Sequence, residues 1–294
     1  MKSYVRSLGD FIGQELKFVT FGKGDGPKLM VTGGIHGGEA TGIYAATKFI
    51  EYLRQHEDEL KGQVKVLAVS NPGAFRRMQR TNPYDDLDMN RIFPGRADDT
   101  PTMVAANIVY EEAQWADYIV DLHCCGIYGS NYTLAIYNES AKDKELASLL
   151  DIPVVIESGG TGGQLFVEAS RKFGKAAVII ELTGGGQGGT IDLPAGDMAF
   201  NALVKLAKQL GMVPGDVERP NPRFCGRLTS MTAPVDGLFV PIVEKGQMVA
   251  KGQVIGKLGN EEILAPAKAI IMVAGPARFV FRGQGLVVYA CPVE

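Results

Sequence analysis

"KLMVTGGIHGGEATGIYAATKFIEYLRQ", residues 28–55, passes from an apolar run through a collar of glycines into a helical pattern. Residues 28–34 are largely apolar instead of alternating, the mark of a strand buried on both faces. From Glu39 to Gln55, Ile43, Ala46, Ile50 and Leu53 fall on one stripe at helical spacing. Strand, tight turn and helix form the unit of an α/β sheet, and such sheets bind ligands at the carboxyl ends of their strands. His36 sits on that turn, and Glu39, in the expected first helical turn, can face the same point.

The same alternation recurs along the chain. Residues 64–71 ("VKVLAVSN"), 117–125 ("DYIVDLHCC") and 176–183 ("AAVIIELT") read as further buried strands, and residues 102–115 and 197–210 repeat the helical spacing. The expected fold is α/β, a mixed, largely parallel sheet flanked by helices. Around residues 211–224 prolines and charges replace the helical pattern, and beyond them come short strand-like pieces with glycine turns. A boundary near Pro220 divides a catalytic domain, 1–219, from a β-rich domain, 220–294. Within the tail, "TAPVDGLFVPIV" and "AKGQVIGKL" resemble "LAPAKAIIMVAG" and "FRGQGLVVYA", which predicts a small quasi-symmetric β-barrel or sandwich.

With 294 residues, 46% of them hydrophobic, the chain can bury a large core. A net charge of −3 excludes the basic surface that nucleic acid or an anionic membrane requires. No run is long enough to span a bilayer, and "MKSYVRSLGDFIGQEL" lacks the apolar core of a secretory signal, so a cytoplasmic protein is expected. Cys124, Cys125, Cys225 and Cys291 have neither metal-ribbon spacing nor disulfide-scaffold density and read as reduced thiols. Homo-oligomerisation is left open.

The chain has three histidines. His56, in "RQHEDELKG", belongs to a charged helix end, whereas His123 closes a buried strand and should emerge at a carboxyl edge, as His36 does. His36, Glu39 and His123, with water in a fourth position, make the three-ligand pattern of catalytic zinc. Helix capping for His36 and a hydrogen-bonded core position for His123 are the bland readings of each alone. Cys124 should face away from His123 because neighbours on a strand alternate; Cys125 is an alternative ligand or a small buried hydrophobe. Asp88 and Asp121 are candidates for the carboxylates that fix the histidines' second ring nitrogens. Glu181 closes the apolar strand before "TGGGQGG", where a carboxylate needs a partner or a task; general base is the preferred role over a salt bridge or cap. Residues 71–96 carry five arginines against three aspartates, a local +2 in an acidic chain, which suits an anion site.

Taken in order, "GGIHGGEATG", "NPGAFRRMQR", "DMNRIFPG", "DLHCC" and "IIELTGGG" resemble the succinylglutamate desuccinylase and aspartoacylase family, a branch of the zinc carboxypeptidase-like superfamily. The resemblance spans about Lys28 to Gly189 and continues more loosely through the tail. It implies one zinc per chain on His36, Glu39 and His123, with Glu181 as base and later acid. It further implies Arg80 as the group polarising the scissile carbonyl, and Asn90 and Arg91 as the grip on a substrate carboxylate. Where the family commonly reads Asp-Leu-Asn-Arg, this chain has Asp88-Met89-Asn90-Arg91, which keeps the polar members. The tail resembles the family's β-rich C-terminal domain and, more distantly, biotinyl and lipoyl carrier barrels. Lys268 lies beyond the Ala-Pro element of such barrels, so attachment there is not expected; a wall narrowing access to the metal is the preferred role for the tail. The implied activity is hydrolysis of a small N-acyl amino acid or related carboxylate-bearing amide. A peptide-cleaving metallocarboxypeptidase and a non-catalytic metabolite-binding protein are the rivals.

Overall fold

The computed structural model describes residues 1–9 and 14–293; the N-terminal stretch read for a secretory signal includes residues 10–13, which lie outside the described residues. The chain runs β1 (Lys2–Ser7), β2 (Glu15–Lys23), β3 (Lys28–Gly33), α1 (Ala40–Gln55), β4 (Gly62–Leu67), α2 (Pro72–Arg77), α3 (Pro101–Ala113), β5 (Tyr118–Gly126) and β6 (Tyr132–Ala135). It continues with α4 (Ala141–Leu149), β7 (Val154–Glu157), α5 (Leu165–Phe173), β8 (Ala176–Gly185), β9 (Thr190–Ile191), α6 (Leu193–Gln209) and β10 (Arg223–Cys225). These strands form one sheet in the order β1-β2-β4-β3-β5-β8-β6-β7-β10, with β9 paired to β8.

The centre, β4, β3, β5 and β8, is parallel. β1 and β2 add antiparallel strands at one edge, while β6 runs against β8 and carries β7 and β10 parallel to itself at the other. The sheet is therefore mixed with a parallel core, as expected. Side-chain alternation sends Val31, Val120, Val178 and Ile180 to one face, against Phe49 of α1 and Leu203 and Leu206 of α6. Met30, Ile119, Ala177 and Ile179 go to the other, against Ala106 and Val109 of α3 and Phe166 and Ala169 of α5. Apolar side chains on both faces explain the unbroken apolar runs in the sequence. The buried stripe of α1 differs in detail from the expected one: Ala45, Ala46, Phe49 and Leu53 are buried, whereas Ile43 and Ile50 are partly exposed.

The tail holds β11 (Thr229–Thr232), β12 (Gly237–Pro241), β13 (Met248–Val249), β14 (Val254–Leu258), β15 (Glu261–Leu264), β16 (Ala269–Ala274), β17 (Arg278–Val280) and β18 (Gly285–Ala290). They make two four-stranded sheets, β11-β18-β16-β13 and β15-β14-β12-β17. The two sequence repeats yield equivalent antiparallel pairs, β12 with β14 and β16 with β18, one in each sheet. Phe239, Ile255 and Leu258 from one sheet pack with Ile271, Leu286 and Val287 from the other. The division expected near Pro220 falls just before β10, which still belongs to the large sheet. A further apolar cluster joins Ile270, Met272 and Ala290 of the tail to Tyr132, Ile156 and Cys225 of the large sheet.

Candidate active site

β3 and β5 are parallel neighbours, so their carboxyl ends deliver His36 and His123 to the same edge. The turn after β3 is tight because it passes other backbone closely. A Cβ on Gly37 would lie 2.0 Å from the carbonyl carbon of Ala74, and one on Gly38 would lie 2.3 Å from the carbonyl oxygen of Gly186. Glu39 stands at the N-cap of α1 and not, as expected, inside its first turn. Its side chain does not cap the helix, because both carboxylate oxygens are engaged elsewhere.

Those oxygens face the two histidines. Glu39 Oε1 is 2.9 Å from His36 Nδ1, Glu39 Oε2 is 2.9 Å from His123 Nδ1, and the two Nδ1 atoms are 3.3 Å apart. All three residues are buried, and among the described residues they form a His/Glu group with ligand atoms close enough to hold a metal ion. Four ligands around zinc at about 2.0–2.1 Å stand about 3.3 Å from one another, so the spacing suits such an ion with little adjustment. The second ring nitrogens are fixed as metal-bound imidazoles require: His36 Nε2 is 2.9 Å from Asp88 Oδ1, and His123 Nε2 is 2.9 Å from Asp121 Oδ2. Thr32 Oγ1 donates to Asp121 Oδ1 at 2.7 Å, extending the chain into the sheet.

The electrostatics also suit a cation. Burial opposes charge on both histidines, yet their carboxylate partners more than compensate, raising His36 and lifting His123 well above the usual histidine range. Burial alone would raise Glu39, but the charge of His123 and hydrogen bonds from both histidines hold it down to about 2. Three carboxylates thus surround two imidazoles, and a divalent ion replacing the two Nδ1 protons would meet the same negative charge.

Glu181 lies directly opposite His123 in the β5–β8 pairing and on the same face. It is partly exposed and, among the described residues, makes no ion pair. Desolvation by the packed surroundings pushes it up to about 7, with His123 and His36 pulling the other way. Arg80 bonds Asp88 Oδ2 at 2.9 Å through Nε and brings Nη1 to 3.4 Å from His36 Nδ1 and 4.0 Å from Glu39 Oε1. Asn90 is buried, and its Oδ1 accepts from Leu165 N at 3.3 Å at the start of α5, which orients the amide; its Nδ2 is the donor that could meet an anion. Arg91 is exposed, with Nη1 donating to the Asn90 carbonyl at 2.7 Å. A cleft of about 530 Å³ opens over the group, lined by His36, Glu39, Arg80, Asp86, Cys124 and Gln187 among others.

Residues 25–206 match the succinylglutamate desuccinylase/aspartoacylase catalytic domain. The chain belongs to this family. N-alpha-acetyl-L-2,4-diaminobutyric acid deacetylase of Halomonas elongata is 28% identical over 250 residues, 80% of this chain and 71% of that protein. The fold is similar to a crystal structure of succinylglutamate desuccinylase/aspartoacylase from Rhodobacter sphaeroides, with a TM-score of 0.80 at 23% identity, covering 95% of this chain and 90% of that one. It is also similar to the product-bound ectoine utilization protein EutE (DoeB) from Ruegeria pomeroyi, with a TM-score of 0.77 at 23% identity over 96% and 89% of the chains.

In this member of the desuccinylase/aspartoacylase family, Cys125 lies outside the metal-binding group: its thiol donates to the Ser130 and Leu182 carbonyls. Cys124 packs its side chain with the opposite core, while its backbone N–H donates to Glu39 Oε2 at 3.1 Å. His56 caps α1, its Nδ1 2.8 Å from the Tyr52 carbonyl. Thr32, Asp86 and the Cys124 amide were not singled out in the sequence. Only Asp86, in the aspartate-rich turn "YDDLD", left a trace there.

Proposed function

We propose that this chain is a zinc-dependent amidohydrolase that removes the acyl group from a small N-acyl amino acid. The observation that carries the reading is Glu181, a carboxylate without an ion-pair partner among the described residues, set opposite His123 beside a group able to hold a metal. A zinc ion on His36, Glu39 and His123 would supply Lewis acidity and bring the pKa of a bound water to about 7. Glu181 takes the proton of the attacking water and returns it to the leaving amine. Arg80 donates to the developing oxyanion, and Arg91 with Asn90 Nδ2 steadies the substrate's carboxylate. Asp88 and Asp121 keep the imidazoles in the ligating tautomer. The Halomonas relative is named for an N-acetylated amino acid, so N-acetyl amino acids are the first substrates to assay.

The test measures bound metal and amine release in parallel. About one zinc per chain is expected in the native protein, lost in His36→Ala and His123→Ala. Glu181→Gln should keep the zinc and lose turnover by about a hundredfold or more. Turnover retained in Glu181→Gln, or no metal after reconstitution, would overturn the reading. A preference for C-terminal peptide bonds over acyl amino acids would instead identify a carboxypeptidase.

A further inference from the structure

The cleft carries an unneutralised charge apart from the metal-binding group. Of its charged lining residues, Glu39 is committed to the two histidines and Arg80 is paired with Asp88. Asp86 is exposed and, among the described residues, has no cation within ion-pair distance. Its side chain is met by a hydroxyl: Thr81 Oγ1 donates to Asp86 Oδ1 at 2.7 Å.

The position of this carboxylate is built. Asp86 adopts a left-handed backbone at φ 52, which aspartate tolerates better than most side chains, and its N–H donates to the Asn82 carbonyl at 2.8 Å. Asn82 is buried and donates from Nδ2 to Gln14 Oε1 and Asn71 Oδ1, each at 3.2 Å. Next along the chain, Asp85 accepts from Thr102 N at 2.9 Å and Thr102 Oγ1 at 2.8 Å, tying the turn to the start of α3. A turn anchored at both sides places Asp86 on the lining of the cleft that His36 and Glu39 also line.

We propose that Asp86 is a specificity-determining residue, selecting substrates whose amine part carries a second, cationic nitrogen, as in an N-acylated diamino acid. This rests on the deacylase reading of the site. Arg91 serves the substrate's carboxylate and Arg80 the oxyanion, whereas Asp86, on the lining of the cleft, serves an ammonium. An amine part bearing both charges satisfies each, while one with a second carboxylate meets like charge at Asp86. Substrate seated in the cleft displaces water from this carboxylate, which strengthens the pairing above that of a free surface ion pair.

The zinc-loaded full chain is assayed with three probes: Nα-acetyl-2,4-diaminobutyrate, its uncharged counterpart N-acetyl-2-aminobutyrate, and N-acetylaspartate. The native protein should favour the cationic probe over the uncharged one by about tenfold in kcat/KM. Asp86→Asn should reduce that ratio towards one, and Asp86→Lys should move the preference to N-acetylaspartate. Calorimetric binding of 2,4-diaminobutyrate, weakened in both variants at unchanged zinc content, gives a readout independent of turnover. A native ratio near one, or a ratio that survives Asp86→Asn while amides are still cleaved, would overturn the role of Asp86 alone. No cleavage of any probe by the zinc-loaded native protein would remove the deacylase reading, and this role with it.

Discussion

Asp121 is fully buried, accepts from Thr32 and faces His123 Nε2, so its charge reaches the metal-binding group only through the imidazole. Asp121→Asn keeps the shape and removes the charge. It should weaken zinc binding by about 10–100-fold, measured by competition with a chelator, while the fold is retained; unchanged affinity would reduce Asp121 to a packing residue. Arg91→Ala should raise KM for acyl amino acids with little change in kcat if the residue holds the carboxylate equally in ground and transition states, and an unchanged KM would place the anion site elsewhere. His36, Glu39 and His123 were legible in the sequence because histidine is scarce here and two of the three end apolar strands or turns. Thr32 was not, because a threonine within an apolar run looks like any strand residue. Asp86 was not, because what sets it apart, a charge that meets no cation among the described residues, only three-dimensional neighbours reveal.

At the level of elements, the turn between β3 and α1 decides whether the ligands meet. Gly37→Ala would drive a methyl group into the backbone of α2, where a carbonyl carbon lies 2.0 Å away. A loss of about 1–3 kcal/mol is expected, together with weaker zinc binding, read from thermal melts with and without metal. Normal stability and metal affinity would mean that α2 yields freely. The central strands were legible because burial on both faces makes them apolar throughout. β1, β6, β7, α4 and α5 were not: the first is an edge strand with an exposed pattern, and the others are short. α6 begins at Leu193, earlier than its apolar stripe suggested, because Asp192 caps it by accepting from Ala195 N.

Across the whole molecule, stability should depend on a carboxyl far from the cleft. Asp143 is buried at the start of α4, where its Oδ1 accepts from Ala177 N on β8, and burial pushes its pKa from 3.8 up to about 6. Between those values the folded chain binds the proton that the unfolded chain releases. Stability from this group is therefore greatest near pH 4 and falls as pH rises to about 6, with no further loss above. Asp143→Asn should raise the Tm relative to the native protein more at pH 8 than at pH 4; an equal shift at both would refute the assignment. The apolar cluster shared by Met272, Ile156 and Tyr132 should make tail and large sheet melt in one calorimetric transition. Met272→Ala, costing about 2–5 kcal/mol, should broaden or split it. The β-rich fold of the tail was legible from its short strand-like pieces and glycine turns, but this shared core was not, since contacts between distant segments leave no period in a sequence.

The chain leaves the large sheet at Cys225 and comes back to the same strand at its end, where Pro292 bridges Cys225 and Val293 N–H donates to the Phe224 carbonyl at 3.0 Å. The outermost strand on that side is thereby covered, which denies a free backbone ladder to other chains. Departure and return lie side by side on β10, and the tail is held a second time where Ser130 N–H donates to the Met272 carbonyl beside the shared apolar cluster. A relative's tail grafted at β10 would keep the span it must bridge, but it would have to carry side chains that rebuild the contacts of Ile270, Met272 and Ala290 with the large sheet.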